Sequence, residues 1–368
     1  MKFIDLSKQY QSYKTDIDAQ IKEVVDNTAF IMGKKVSELE ATLAKWTNTQ
    51  YAVGCSSGTD ALLLALMAID IRPGDEIITT PFTFIATAEV ISFLGAKPIF
   101  VDIKEDTYNI DPAKIESAIS EKTKAIVAVD VFGQCADYDA INAIAQKHQL
   151  LVIEDAAQSF GATYKNRPAC SLADFGCTSF FPAKPLGCFG DGGMVFTNNE
   201  EAAEIMKSLR VHGKGTHKYD NVRIGLNARL DTLQAAVLLA KIAHFSKEVE
   251  ARNTIAARYT EALQSTVGTP IVAEGNTSVY AQYSIRVKDR GGLIEFLKSE
   301  NIPTAIHYPK PLHLQSAFKN LGYGASDFPV AEKISEEIVS LPMHPFLEVQ
   351  DQDFIIQRIL SFYNNEGR

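Results

Sequence analysis

Residues 51–69 read YAVGCSSGTDALLLALMAI. A short apolar run, a small polar turn and an unbroken apolar stretch of good helix formers make this a strand, a tight connection and a buried helix. The unit recurs outward from there. EIITT (76–80) precedes FIATAEVISFL (84–94), and KPIFVD (97–102), KAIVAVDVF (124–132), LLVIEDA (150–156), CTSFF (177–181) and GGMVFT (192–197) follow, with helices or loops between them. Such alternation predicts an α/β fold with a mostly parallel sheet, because parallel neighbours need crossover segments and these helices supply them.

Past DTLQAAVLLAKIAHF (231–245) the alternation weakens to a long helix, then VYAQYSIRV (279–287), a helix near GGLIEFLKSEN (291–301) and a terminal helix. A chain of 368 residues exceeds what one core usually organises. The expectation is a large domain over 1–245, with its first residues packing on the smaller one, and a smaller C-terminal α+β domain over 246–368.

The 46% apolar and 22% charged fractions are those of a folded soluble chain without disordered tracts. The polar opening MKFIDLSKQYQSYK lacks the basic start and apolar run of a signal peptide, and no stretch is long enough for a bilayer span, so a cytoplasmic location is expected. Five cysteines without CxxC spacing (Cys55, Cys135, Cys170, Cys177, Cys188) oppose both a disulfide framework and a zinc site, and predict buried thiols and no metal. A net charge of −9 without a Lys/Arg block opposes binding to nucleic acid or anionic membranes.

Three features bear on chemistry. Lys184 lies in SFFPAKPLGCFGDGGMVFT (179–197), in a loop between two apolar strands that is too rich in Pro and Gly for a helix. Asp155 closes the strand LLVIED, at the carboxyl edge where open α/β sheets bind ligands; it serves there either as a functional carboxylate or as a cap for the next turn. Ser57, Gly58, Thr59 and Asp60 open the buried helix, either as a phosphate-binding N-terminus or as plain capping.

Taken in order, SSGTDALLLAL (56–66), PFTFIATAE (81–89), EDAAQSFGA (154–162), SFFPAKPLGCFGDGG (179–193), GLNARLDTLQAA (225–236) and IHYPKPLH (306–313) resemble the DegT/StrS family of nucleotide-sugar aminotransferases over nearly the whole chain. The resemblance implies the aspartate-aminotransferase-like fold, fold type I, and pyridoxal 5'-phosphate as cofactor. It further implies that Lys184 forms the Schiff base with the cofactor and that Asp155 pairs with its pyridinium nitrogen, with Gln158 reaching the ring hydroxyl. Gly58, Thr59 and Ser179 would bind the phosphate. Phe84 would stack on the ring, although a core aromatic is an equal reading of that residue. Asn227 matches an asparagine that reaches the phosphate from the neighbouring subunit, which implies a homodimer with shared active sites.

FIDL (3–6), FFPAKPLGC (180–188) and PTAIHYPKPL (303–312) extend the likeness to members that aminate UDP-2-acetamido-2-deoxy-3-oxo-glucuronate, with glutamate as amino donor, for bacterial surface polysaccharide such as O-antigen. A uronate carboxylate calls for charged donors, for which Arg229, His307 and Tyr308 are the candidates. VDVFGQ (129–134) departs from the family by carrying Asp130 where many members have His, which leaves that position without an assigned role. Members that use His in place of the lysine are dehydratases, a chemistry Lys184 opposes.

Other classes fare worse. The glycine cluster GCFGDGG (187–193) runs into a strand mid-chain, whereas a dinucleotide fingerprint closes the first strand and opens a helix, and no GxxxxGK[ST] is present. A 3-keto or 4-keto 6-deoxyhexose carried by dTDP is the alternative substrate, and a non-catalytic ligand sensor the distant one.

Overall fold

The computed structural model describes residues 1–217 and 219–366. Its centre is a seven-stranded sheet built from β1 (Tyr51–Cys55), β2 (Glu76–Thr79), β3 (Lys97–Phe100), β4 (Thr123–Val129), β5 (Leu151–Asp155), β8 (Phe175–Ser179) and β9 (Gly193–Thr197), in the order β1-β9-β8-β5-β4-β2-β3. The small strands β6 (Thr163–Tyr164) and β7 (Arg167–Pro168) pair with each other apart from that sheet. The mostly parallel α/β sheet expected from the alternation is present. The exception is β9, which runs antiparallel to both β1 and β8. The reason lies in the 180–192 connection, which contains no helix and cannot carry the chain back for a parallel return.

Both faces of the sheet are covered, so its strands read as apolar runs. Alternate residues serve the two sides. Ile77, Val127, Ile153 and Val195 face one cluster with Leu64 and Leu66 of α3 (Gly58–Ala68) and Ala203 and Met206 of α7 (Glu200–Leu209). Ile78, Ile126 and Val152 face the other side with Tyr138 and Ile141 of α6 (Tyr138–His148), where Met194 and Phe196 meet Leu39 and Leu43 of α2 (Lys34–Thr47). Between these lie α4 (Ala86–Phe93) and the single turn α5 (Pro112–Ile115).

The 32-residue α8 (Thr232–Leu263) changes its packing partners along its length. Phe245 belongs to the cluster around Met194, whereas Ile255, Tyr259 and Leu263 pack with the antiparallel pair β10 (Tyr283–Arg286) and β11 (Ile338–Leu341). Leu293 and Leu297 of α9 (Arg290–Ser299) and Ile355 and Ile359 of α11 (Val349–Glu366) complete this second core. The N-terminal α1 (Leu6–Asp26) lies on α8 through Ile17, Val237 and Ala240, and the Phe3 carbonyl ahead of it accepts from the Met343 amide at 3.3 Å. From the large sheet, Asp102 caps α10 (Pro329–Glu337) by accepting from the amides of Val330 and Ala331 at 3.1 and 2.9 Å. All five cysteines are buried and free, as expected.

Candidate active site

Asp155 ends β5, in register with Val129 on β4 and Cys177 on β8, and is buried. Its Oδ2 accepts from the Thr87 hydroxyl at 2.8 Å and its Oδ1 from the Ala157 amide at 3.3 Å. Burial pushes this carboxyl up, while the Thr87 bond and the nearby positive charge of Lys184 pull it back. Thr87, the second residue of α4, itself meets the Thr83 hydroxyl at 3.1 Å. Nothing in PFTFIATAE marks this threonine as a partner of a carboxylate 68 positions later.

The loop from β8 to β9 carries Lys184. The loop is folded tightly on itself: the Lys184 amide donates to the Phe181 carbonyl at 2.8 Å, and a Cβ at Gly187 would stand 2.4 Å from the Pro182 carbonyl. The ammonium is half-buried and, among the described residues, makes no hydrogen bond or ion pair. Burial pushes the Lys184 amine down, opposed by the charge of Asp155. A desolvated lysine facing a carboxylate it does not touch is readied as a nucleophile.

At the start of α3, Ser57 accepts from the Asp60 amide at 3.0 Å, which leaves the amides of Gly58 and Thr59 without a partner among the described residues. A Cβ on Gly58 would stand 2.5 Å from Cβ of Ser179, so the helix start and the end of β8 touch. Open amides at a helix N-terminus beside a hydroxyl are an anion site.

Gln158 bridges two segments: its Oε1 accepts from the Phe132 amide at 3.0 Å and its Nε2 donates to the Tyr308 hydroxyl at 2.9 Å. One amide N–H remains for another acceptor. Tyr308 reaches the site because the Leu312 amide donates to the Pro81 carbonyl at 2.8 Å, which docks 306–313 on the PFTF turn. The neighbouring His307 pairs through Nδ1 with the Ser340 hydroxyl at 2.9 Å, and burial together with the Lys184 charge pushes its imidazole down. Phe84 is 57% exposed, which removes the core reading of this ring. The buried ring of this turn is Phe82, edge-on to Tyr308 with centroids 6.0 Å apart.

Lys184, Asp155, Gln158, Ser179, Gly58, Thr59, His307 and Tyr308 thus converge on one edge of the sheet. Asn227 and Arg229 do not join them within this chain. They bond each other, Arg229 donating to Asn227 at 2.6 Å, and their segment lies along the turn before Gly58, where Arg229 bridges Cys55 and the Ala228 carbonyl accepts from the Ser56 amide at 3.2 Å; among the described residues neither side chain bonds Lys184 or Asp155. Sequence reasoning passed over a cavity beside Lys184 that Asp5, Gln9, Arg252 and His344 help to line. Its parts come from three distant segments, and no local pattern announces them.

The chain belongs to the DegT/DnrJ/EryC1/StrS aminotransferase family, whose model matches residues 11–360. Enzymes of this family use pyridoxal phosphate. The chain is 48% identical to the UDP-2-acetamido-2-deoxy-3-oxo-D-glucuronate aminotransferase of Pseudomonas aeruginosa over 95% of this chain and 96% of that one. A pleiotropic regulatory protein of Geobacillus stearothermophilus is 46% identical over 98% of both chains. A solved aminotransferase of the family from Brucella abortus superposes with a TM-score of 0.96 at 46% identity, covering 98% of this chain and 99% of that one. The site fits the cofactor on its own geometry. An unpartnered amine stands near a buried carboxylate, and open helix amides meet Ser179.

Because burial favours the neutral amine, cofactor capture by the cofactor-free protein should reach half its maximal rate at a pH below the ordinary lysine value of about 10.4. Stopped-flow absorbance across pH measures this. A midpoint at or above that value would contradict the environment described for Lys184.

Proposed function

We propose that this protein is a pyridoxal-phosphate-dependent aminotransferase that converts a nucleotide-linked 3-keto sugar, UDP-2-acetamido-2-deoxy-3-oxo-glucuronate, to the 3-amino sugar with glutamate as donor. The observation that carries this reading is the half-buried, unpartnered Lys184 amine set against the buried Asp155. The same pair argues against a purely regulatory role, despite the name of the Geobacillus relative. The Pseudomonas relative motivates the uronate, and surface-polysaccharide synthesis in the cytoplasm is the corresponding setting. We assign residues 1–245 to the cofactor-binding domain and 246–368 to the smaller one.

When bound, the cofactor supplies an electron sink that stabilises negative charge at the carbon bearing the transferred nitrogen. The amides of Gly58 and Thr59 and the Ser179 hydroxyl hold its phosphate, and Phe84 covers the ring. Asp155 keeps a proton on the ring nitrogen, for which a buried carboxylate beside a hydroxyl donor is suited. The free N–H of Gln158 reaches the ring hydroxyl. Lys184 Nζ would hold the cofactor until the donor amine displaces it, and the freed amine would then move a proton between the donor's α-carbon and the carbon on the other side of the transferred nitrogen. The keto acid leaves before the sugar enters, so kinetics are ping-pong.

We assign Asn227 and Arg229 of a second subunit to the site as well. Exposed apolar side chains gather around the start of α8: the Phe30 carbonyl accepts from the Thr232 amide, Phe189 donates its amide to Gln234, and Phe30, Ile31, Met32 and Phe189 are 44, 53, 43 and 44% exposed. An apolar patch beside Asn227 and Arg229 supports a homodimer in which the partner subunit's Asn227 reaches the phosphate. Mixing inactive Lys184→Ala and Asn227→Ala chains should restore part of the activity through hybrid dimers; no recovery in a mixture shown to exchange subunits would contradict shared sites.

Arg229 from across the interface, with His307 and Tyr308, is assigned to the sugar carboxylate. Removing one charged hydrogen bond costs about 1.5–3 kcal/mol, so Arg229→Ala should lower kcat/KM for the 3-keto uronate roughly ten- to a hundred-fold. A 3-keto 6-deoxy analogue should be affected far less. Equal losses on both, or a wild type that prefers the 6-deoxy sugar, would return the protein to the dTDP-sugar branch.

A further inference from the structure

On the β4–β5 edge, the Asp155 carboxylate has two acidic neighbours that the reaction does not use. Glu154 precedes it in the strand, and Asp130 follows Val129, the residue paired with Asp155 across the ladder. Both are 0% exposed, and their carboxylate oxygens lie within 4.8 Å of each other. Neither has a cationic partner among the described residues. The other titratable groups that face them are the thiols of Cys135, Cys170 and Cys177 and the phenol of Tyr138, none of them cationic. Two ionised carboxylates so placed, without a cationic side chain between them, would repel strongly.

Their remaining bonds say what they hold. Asp130 Oδ1 accepts from the Ala136 amide and the Tyr138 hydroxyl, each at 2.9 Å, and Oδ2 from the Ser159 hydroxyl at 2.7 Å. Its own amide donates to the Asp155 carbonyl at 3.1 Å. Glu154 accepts from the Cys170 and Leu172 amides at 2.6 and 3.1 Å. Asp130 therefore grips the 155–159 turn at both ends, and that turn presents Asp155 and Gln158. The same contacts argue against a metal at Asp130, Cys135 and Glu154, since the carboxylate oxygens already accept from N–H and O–H groups.

We propose that Asp130 and Glu154 share a single proton, and that this acid–carboxylate pair is a positioning device that fixes the turn carrying Asp155 and Gln158. Its functional part rests on the cofactor-binding roles assigned to those two residues above. In the pair, the Glu154 carboxyl donates its proton to the ionised Asp130, which suits the direction burial pushes both groups, upward, with Glu154 raised further by the facing charge.

The pattern of amide substitutions tests this. A side-chain amide offers an N–H where the protonated acid offers its O–H, so Glu154→Gln and Asp130→Asn should each keep cofactor affinity within about threefold, whereas the double variant, with N–H donors facing each other and its amide oxygens held by the neighbouring N–H and O–H groups, should lose more than about tenfold and show a matching non-additive fall in Tm. Infrared difference spectra of the cofactor-free protein at neutral pH, wild type minus Glu154→Gln, should contain the carbonyl stretch of a protonated carboxylic acid. If both groups are ionised, that band is missing and each single amide raises Tm additively, which overturns the shared proton. Non-additive Tm values with unchanged cofactor affinity in the double variant overturn the positioning role. A wild type that binds no cofactor would instead defeat the functional reading, leaving the infrared and Tm results to judge the shared proton.

Discussion

The approach of Lys184 to Asp155 is the constraint on which the rest of the structure turns. A buried carboxylate and a half-buried amine that do not touch gain little from each other and lose hydration, an arrangement that on its own destabilises the fold. It persists because each side is fixed independently. Asp155 sits at the end of a central strand and is bonded to Thr87 on α4, while Lys184 sits in a loop whose glycine leaves no room for another course. Strand order serves the same end: with β8 parallel to β5, the lysine loop leaves the sheet on the edge where Asp155 ends, and the reversed β9 returns beside the start of α3.

Much of this was legible because it is local. Apolar runs bounded by turns announced the strands, the buried helix after Ser57 announced itself, and a loop lysine that alone would read as surface gained its meaning from the order of motifs around it. What stayed hidden was relational. Thr87 looks like any helix threonine until α4 carries it against Asp155, and Gln158 could be placed near the cofactor but not tied to Tyr308, whose position depends on a loop 150 residues downstream. Asp130 looked like a lone departure from the family pattern. Its meaning comes from Glu154, one strand away in space and 24 residues away in sequence, so that no periodicity could join them. Phe84 was ambiguous because aromatic residues serve cores and ligand faces equally, and only its exposure decides between them.

The division of labour among segments also bears on specificity. Groups placed to hold the cofactor come from residues 57–60, 84–87, 155–158 and 179–184, all mounted on the sheet. Of those assigned to the sugar, His307 and Tyr308 lie on a loop outside it, and Arg229 lies on a connection that bridges its edge strand at Cys55. Loops of this kind can change without disturbing a preformed site on rigid elements, which fits a family whose members share a fold and differ in the sugars they take.

The central claim is that Lys184 is the amine that takes the cofactor. Incubating the purified protein with pyridoxal 5'-phosphate, reducing with borohydride and mapping the adduct by peptide mass spectrometry tests it directly. The account predicts one stoichiometric adduct, on Lys184, with loss of the visible absorbance that precedes reduction. An adduct chiefly on another lysine, such as the buried Lys241, or scattered at low occupancy over surface lysines, would contradict it.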